Sequence, residues 1–238
     1  TETLCGVGVG RATSVKVSWN APIAPGIEWR QDEDGELLLK GAGIIKEYYN
    51  DPESNRECFT EDSFFRTGDI VEFDEHGIMR VVDRKKALIV MDTGKNVAPA
   101  KIEALLMRNV LIDQVLIIGD GRKYITALIC PNWDEILKLC DANGVPYDKE
   151  KLRYELVNGM NICVEVGPEL ANSELVKKIV GDTVDAANQE LADFEQIKKF
   201  KIPQRKFLQR FDELTPTSKP KQRMIMNNFT ADIDSLYQ

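Results

Sequence analysis

Residues 35–41 form a short apolar stretch around Leu37, Leu38 and Leu39, closed at both ends by Gly35 and Gly41, and this pattern predicts a strand. Residues 69–73 and 78–82 are further short apolar stretches, and Asp74-Glu75-His76-Gly77 between them predicts a hairpin turn. Short strands punctuated by glycine up to about residue 83 suggest a small β-barrel or sandwich. Beyond Asp83 the pattern changes. A brief strand is expected at 88–91, then a helix over 99–106 with Pro99 in its first turn. Residues 114–118 and 124–129 flank Gly119-Asp120-Gly121, which predicts a second hairpin. Helical spacing recurs at 133–140 and 149–157. It is clearest over 173–194, where Val176, Ile179, Val180, Val184, Ala187 and Leu191 share one stripe. A last strand is expected at 200–208, followed by a polar tail. The fold class is therefore α+β: a small β-barrel or sandwich subdomain (1–83) followed by a compact α+β domain (84–238), joined by a short hinge.

Composition narrows the function classes. With 43% apolar residues among 238, the chain can fill a real core. A net charge of -8 argues against coating nucleic acid. No apolar run is long enough to cross a bilayer, and no charged-then-apolar leader is visible. The start at Thr1, without methionine, is expected of a fragment. Cys5, Cys58, Cys130, Cys140 and Cys163 are far apart and share no CxxC spacing. A zinc site or disulfide scaffold is not expected, and a reducing cytoplasm is. His76 is the single histidine and reads as an exposed turn residue. Gly6-Val7-Gly8-Val9-Gly10 lacks the GxGxxG spacing of a dinucleotide loop.

An ordered set of short motifs is more specific. Thr1-Glu2-Thr3 resembles the tail of the YGxTE motif of adenylate-forming enzymes. Gly35-Glu36-Leu37 through Gly41, followed by residues 48–53, resembles their GEL…G…GYxxxPE segment. Phe65-Arg66-Thr67-Gly68-Asp69 resembles their (Y/F)RTGD motif. Asp83-Arg84-Lys85-Lys86-Ala87-Leu88-Ile89, with Gly94 to Pro99 and Ile102-Glu103, resembles the DRxKxLI…GxxVxPxxIE hinge motif. Residues 214–221 resemble the LTPTxKxK tail of long-chain acyl-CoA synthetases. Together these motifs span nearly the whole chain, in the family's order.

The resemblance implies the carboxyl-terminal part of an ATP-dependent fatty acid–CoA ligase, using ATP, Mg²⁺ and CoA, with AMP as product. A fragment lacking the family's phosphate loop and acyl tunnel would be inactive alone. Asp69 would hold the ribose diol, which an acceptor-only carboxylate suits, and Arg84 would add a second ribose contact. Thr1 would reach the α-phosphate and Glu2 would ligate Mg²⁺. Lys86 occupies the hinge position, while Lys85 reads as a solvated lysine. Gly94 would let backbone approach the pantetheine arm of CoA, or simply make a tight turn. A tail lysine would meet charge developing at the α-phosphate. Lys219 fits the LTPTxK spacing and Lys221 the longer PxTxxGK spacing; Lys219 is preferred, although no glycine precedes either and Arg223 lies one place beyond the usual arginine. The long-chain assignment rests on this tail, on 94–97 and on extra sequence at 145–170. A lipid substrate is compatible with peripheral membrane contact of the intact enzyme. An acyl-acyl-carrier-protein synthetase, or a non-catalytic nucleotide-sensing module of the same fold, shares these motifs.

Overall fold

The computed structural model describes Thr3 and residues 22–238 apart from Asn158. The chain forms two compact units, one ending at Leu88 and the other spanning Ile89–Gln238. Thr1, Glu2, Cys5 and the 6–10 glycine run lie outside the described residues.

The first unit contains β1 (Ile27–Gln31), β2 (Glu36–Gly41), α1 (Pro52–Cys58), β3 (Phe65–Phe73) and β4 (Met79–Arg84). The strands make one antiparallel sheet in the order β1-β2-β3-β4. Among the described residues its edge strands do not meet, so the barrel expected from the glycine-punctuated strands is corrected to an open sheet. Leu37 and Leu39 alternate toward one face and pack with Phe65, Val71 and Met79. The hairpin turns share one device. In β1–β2, the Asp32 amide bonds to the Glu36 carbonyl and the Gly35 amide to the Asp32 carbonyl, with Gly35 left-handed at φ 89°. Asp74, Gly77 and Ile78 repeat it in β3–β4, Gly77 at φ 71°. A turn closed by a left-handed residue is a favoured short hairpin loop. His76 is exposed in that turn, as the sequence implied.

The second unit runs β5 (Ile89–Val90), β6 (Asn96–Val97), α2 (Pro99–Leu106), β7 (Ile112–Ile118), β8 (Ile125–Pro131), α3 (Trp133–Asn143), β9 (Arg153–Val157), β10 (Met160–Glu165), α4 (Pro168–Ala171), α5 (Glu174–Gln189), β11 (Ile197–Lys201), α6 (Gln222–Asn228) and α7 (Thr230–Leu236). Its central sheet has the order β11-β8-β7, with β11 parallel to β8. The near-continuous apolar runs of β7 and β8 follow from burial on both faces. Val115, Ile117, Ile125, Ala127 and Ile129 pack in one cluster with α2, α3 and α5. Leu116, Ile118, Leu128 and Cys130 pack in another with Phe207, α6 and α7.

Several expectations change here. The helical spacing over 149–157 is a 3-10 turn followed by β9, because this stretch pairs antiparallel with β10. That hairpin lies within the stretch 145–170. The strand expected at 200–208 ends at Lys201; Pro203, close behind, has no N–H for a ladder. The long helix runs Glu174–Gln189, capped by Ser173, whose hydroxyl accepts from the Val176 amide. The polar tail is not featureless: Ile225, Phe229, Ile233 and Leu236 are buried at helical spacing.

Gly119, at the β7–β8 connection, faces the core. A Cβ there would lie 2.4 Å from Ile125 Cδ1 and 3.2 Å from Ile89 Cγ2. Both neighbours are nearly fully buried. We therefore expect Gly119→Ala to destabilise the chain by about 1–3 kcal/mol through overpacking. Urea unfolding should show a lowered midpoint with an unchanged slope.

Candidate functional site

A cleft of about 670 Å³ in the first unit is bordered by Glu36, Arg66, Asp69, Arg84, Lys85 and Lys86. Asp69 lies on β3 directly opposite Arg84 on β4. The register that starts at Phe73–Met79 would, carried straight on, place Asp83 opposite Asp69. A bulge between Ile70 and Val71 shifts the ladder by one and brings Arg84 there instead. Arg84 Nε then lies 3.0 Å from Asp69 Oδ1; the Arg84 side chain is 74% exposed and that of Asp69 30%. Burial pushes the Asp69 carboxyl above its ordinary range, Arg84 pulls it down, and the charge of Glu36 adds to the upward push. The result is a partly dehydrated acceptor with an exposed guanidinium beside it, an arrangement suited to a neighbouring pair of hydroxyls.

Just before Asp69 the chain passes through Gly68 at φ 71°, a conformation that favours glycine. Thr67 donates its hydroxyl to the Leu37 carbonyl at 2.7 Å and accepts from the Asp69 amide at 3.1 Å. Gly68 donates its amide to Glu36 Oε1 at 2.9 Å. Glu36 is almost fully buried, and its other oxygen accepts from Arg66 Nη1 at 3.1 Å and Lys85 Nζ at 3.0 Å. Arg66 also bonds Asp32 at 2.9 Å, and Lys85 also pairs with Asp34. Lys85 is exposed, as a solvated lysine would be, but its ammonium is also tied to two carboxylates. Asp32, Asp34 and Glu36 bring carboxylate oxygens within 4.8 Å of one another, a spacing compatible with a cation. Arg66 and Lys85 already neutralise them, so the trio fits an ion-pair network better than a metal. The sequence hint to this network was an acid, Glu36, at the head of an otherwise apolar strand.

Lys86 is exposed on the 3-10 turn Lys85–Ala87, between extended residues Arg84 and Leu88. In the second unit, Gly94 closes the β5–β6 hairpin with the same turn as above: its amide bonds the Met91 carbonyl at 2.9 Å, its φ is 78°, and open space surrounds the position of a Cβ.

The tail lysines sit in different settings. Thr215 donates its amide to the Lys219 carbonyl and Ser218 to the Thr215 carbonyl, each at 2.8 Å, while the Lys219 amide bonds Thr215 Oγ1 at 3.0 Å. Ser218 is left-handed at φ 61°. Directly before Lys219 the chain thus takes a conformation that favours glycine, which the sequence did not disclose. Pro220, before Lys221, cannot take that conformation. Lys219 is exposed, and its ammonium pairs with no acid among the described residues. Lys221 is ion-paired with Asp212, and its amide bonds the Glu213 carbonyl at 2.7 Å. Beneath this loop, Glu213 is fully buried and doubly bonded to Arg205 at 2.7 Å.

Burial pushes the Cys163 thiol up to about 11 and raises those of Cys130 and Cys140 as well, so none of these three is activated.

Residues 86–143 match the AMP-binding enzyme C-terminal domain. A long-chain-fatty-acid–CoA ligase of Mycobacterium tuberculosis is 32% identical over 232 residues, which is 98% of this chain and 36% of the relative. Long-chain-fatty-acid–CoA ligase 1 of Homo sapiens is 28% identical over 206 residues, 86% of this chain and 27% of the relative. The chain thus spans about a third of the length of the mycobacterial relative and somewhat less of the human one. Among solved structures, the A-PCP didomain of a carboxylic acid reductase from Segniliparus rugosus, in complex with AMP, superposes with a TM-score of 0.65 at 24% identity. That match covers 90% of this chain and 28% of the other. O-succinylbenzoate coenzyme A synthetase of Bacillus subtilis, also with AMP, gives 0.61 at 19%, covering 94% and 38%. These likenesses show the fold of adenylate-forming enzymes, α+β with open sheets. No helix among the described residues is long and apolar enough to cross a membrane.

Proposed function

We propose that the chain is the carboxyl-terminal part of an ATP-dependent acyl-CoA synthetase acting on fatty acids, long-chain ones by the likeness to its relatives. A fatty carboxylate oxygen attacks the α-phosphorus of ATP, the bond to pyrophosphate breaks, and acyl-AMP results. The CoA thiol then attacks the acyl carbon, the bond to AMP breaks, and the thiol proton leaves. The observation that carries this reading is the Asp69–Arg84 pair, delivered across two strands by a bulge.

In this reading Asp69 takes the ribose hydroxyl protons and Arg84 adds a donor to the ribose. Lys219 brings its exposed ammonium to the charge that grows at the α-phosphate, favouring the transition state over the ground state. Lys86 is the hinge of the domain swing between the two half-reactions. Gly94 offers bare backbone to the pantetheine arm. Thr1 and Glu2 are assigned to the α-phosphate and Mg²⁺ on the motif alone. The proposed boundary between the nucleotide-binding domain and the mobile domain is Asp83–Arg84, at the head of that hinge.

In the full-length enzyme, Asp69→Asn should keep the shape and lose the charge that holds the diol. Charge-assisted hydrogen bonds contribute about 1.5–3 kcal/mol, so the KM for ATP should rise roughly 10- to 150-fold. ATP–pyrophosphate exchange measures it. An unchanged KM would remove Asp69 from the nucleotide site and take away the main support for the reading.

A further inference from the structure

Glu36 has no role in the function proposed above, yet it is almost fully buried and receives a backbone amide and two cationic side chains. A buried carboxylate is tolerated only when its lone pairs are filled. Its two oxygens divide the work. Oε1 holds the Gly68 amide, in the left-handed residue that leads into Asp69. Oε2 holds Arg66, on the strand that carries Asp69, and Lys85, which directly precedes Lys86. Lys85 is further tied to Asp34 and Arg66 to Asp32, in the hairpin loop just before Glu36. One rigid side chain therefore touches both the backbone that aims the ribose acid and the turn where the hinge begins.

We propose that Glu36 is a positioning residue with two arms, one fixing the Gly68 backbone so that Asp69 faces the nucleotide, the other anchoring Lys85 so that motion begins at Lys86. This rests on the synthetase reading and extends it. Glu36 does not touch substrate; it acts through Asp69 and through Lys85. The two arms separate by substitution. Glu36→Gln retains an oxygen for the Gly68 amide but loses the charge that draws Arg66 and Lys85. Glu36→Ala loses both. Lys85→Met releases only the hinge arm.

Two measurements test this. Hydrogen exchange on the 238-residue chain should show the Gly68 amide exchanging at least 10-fold faster in Glu36→Ala. The Leu88 amide, which bonds the Lys85 carbonyl, should exchange faster in Glu36→Ala, Glu36→Gln and Lys85→Met alike. In the full-length enzyme, Glu36→Ala should raise the KM for ATP about 10-fold in the wild-type background but less than twofold when Asp69→Asn is already present. That non-additivity is expected only if Glu36 works through Asp69. Equal KM effects in both backgrounds, or unchanged exchange at Gly68, would overturn the proposal. If Glu36→Ala does not fold, Glu36→Gln decides: faster exchange at Leu88 with Gly68 still protected supports it, and wild-type exchange at both overturns it. A wild-type enzyme that forms no acyl-adenylate would instead overturn the synthetase reading and the catalytic half of this proposal, while the exchange data still decide the structural half.

Discussion

Lys219→Ala in the full-length enzyme should slow acyl-adenylate formation by about 100- to 1,000-fold, the usual loss when one preorganised donor at developing charge is removed. Lys221→Ala should leave the rate within about fivefold. The difference follows from what each ammonium is already doing. Lys221 is committed to Asp212, and its backbone secures the start of α6, so it is a pin rather than a free charge. Lys219 stands exposed at the end of a tight turn, its backbone fixed at both ends by Thr215 and its ammonium paired with no acid among the described residues. A fixed base with a free tip suits a group that must be delivered in register. The binding step should survive: Lys219→Ala should bind ATP with near wild-type affinity, since its contact forms in the transition state. ATP–pyrophosphate exchange, with equilibrium nucleotide binding alongside, separates the two. The reverse ranking of the lysines, or full exchange in the Lys219→Ala, Lys221→Ala double variant, would sink the assignment.

Local pattern carried the elements whose stabilising contacts are themselves local. The turn glycine at 77, the proline opening α2 and the stripe of α5 all read directly, because each is a short-range constraint on backbone or on one helix face. What failed to read was pairing. Residues 149–157 satisfy both a helical and a strand spacing, and only the presence of β10 decides between them. The open edge of the first sheet cannot be told from a closed one by strand lengths. At the site, the motif supplied Asp69 and Arg84 as residues but not their meeting, which depends on a one-residue register shift that leaves Val82 unpaired in the ladder and has no signature in the apolar pair Val81-Val82. Ser218 in a glycine's conformation was similarly hidden, since the turn that holds it is fixed by backbone bonds across the loop. Lys85 read as solvated because its partners, Asp34 and Glu36, are remote in sequence.

The largest stability effect is expected at Glu213. Its carboxylate is fully buried, bonded at 2.7 Å through both oxygens to Arg205, and further bonded to the Asn228 amide and the Leu208 backbone amide, each at 2.9 Å. Arg205 in turn lies over the rings of Phe211 and Phe229 at 4.4 Å. Removing one partner of such a pair strands the other, so Glu213→Ala should destabilise the chain by about 3–5 kcal/mol. Replacing both together, Arg205→Met with Glu213→Leu, should recover much of that loss, because an apolar pair leaves no uncompensated charge. The pH dependence has a definite sign. Burial pushes the Glu213 carboxyl up, but Arg205, Asn228 and the Leu208 amide outweigh it and hold it below its ordinary value of 4.5. A folded-state value depressed in this way adds stability that is complete above the unfolded value and fades as pH falls through the folded one. Wild-type urea midpoints should therefore decline below about pH 4.5 more steeply than those of the Arg205→Met, Glu213→Leu pair. Parallel declines would show that this buried carboxylate is not held ionised by Arg205, and that the floor of the Lys219 loop is built on packing alone.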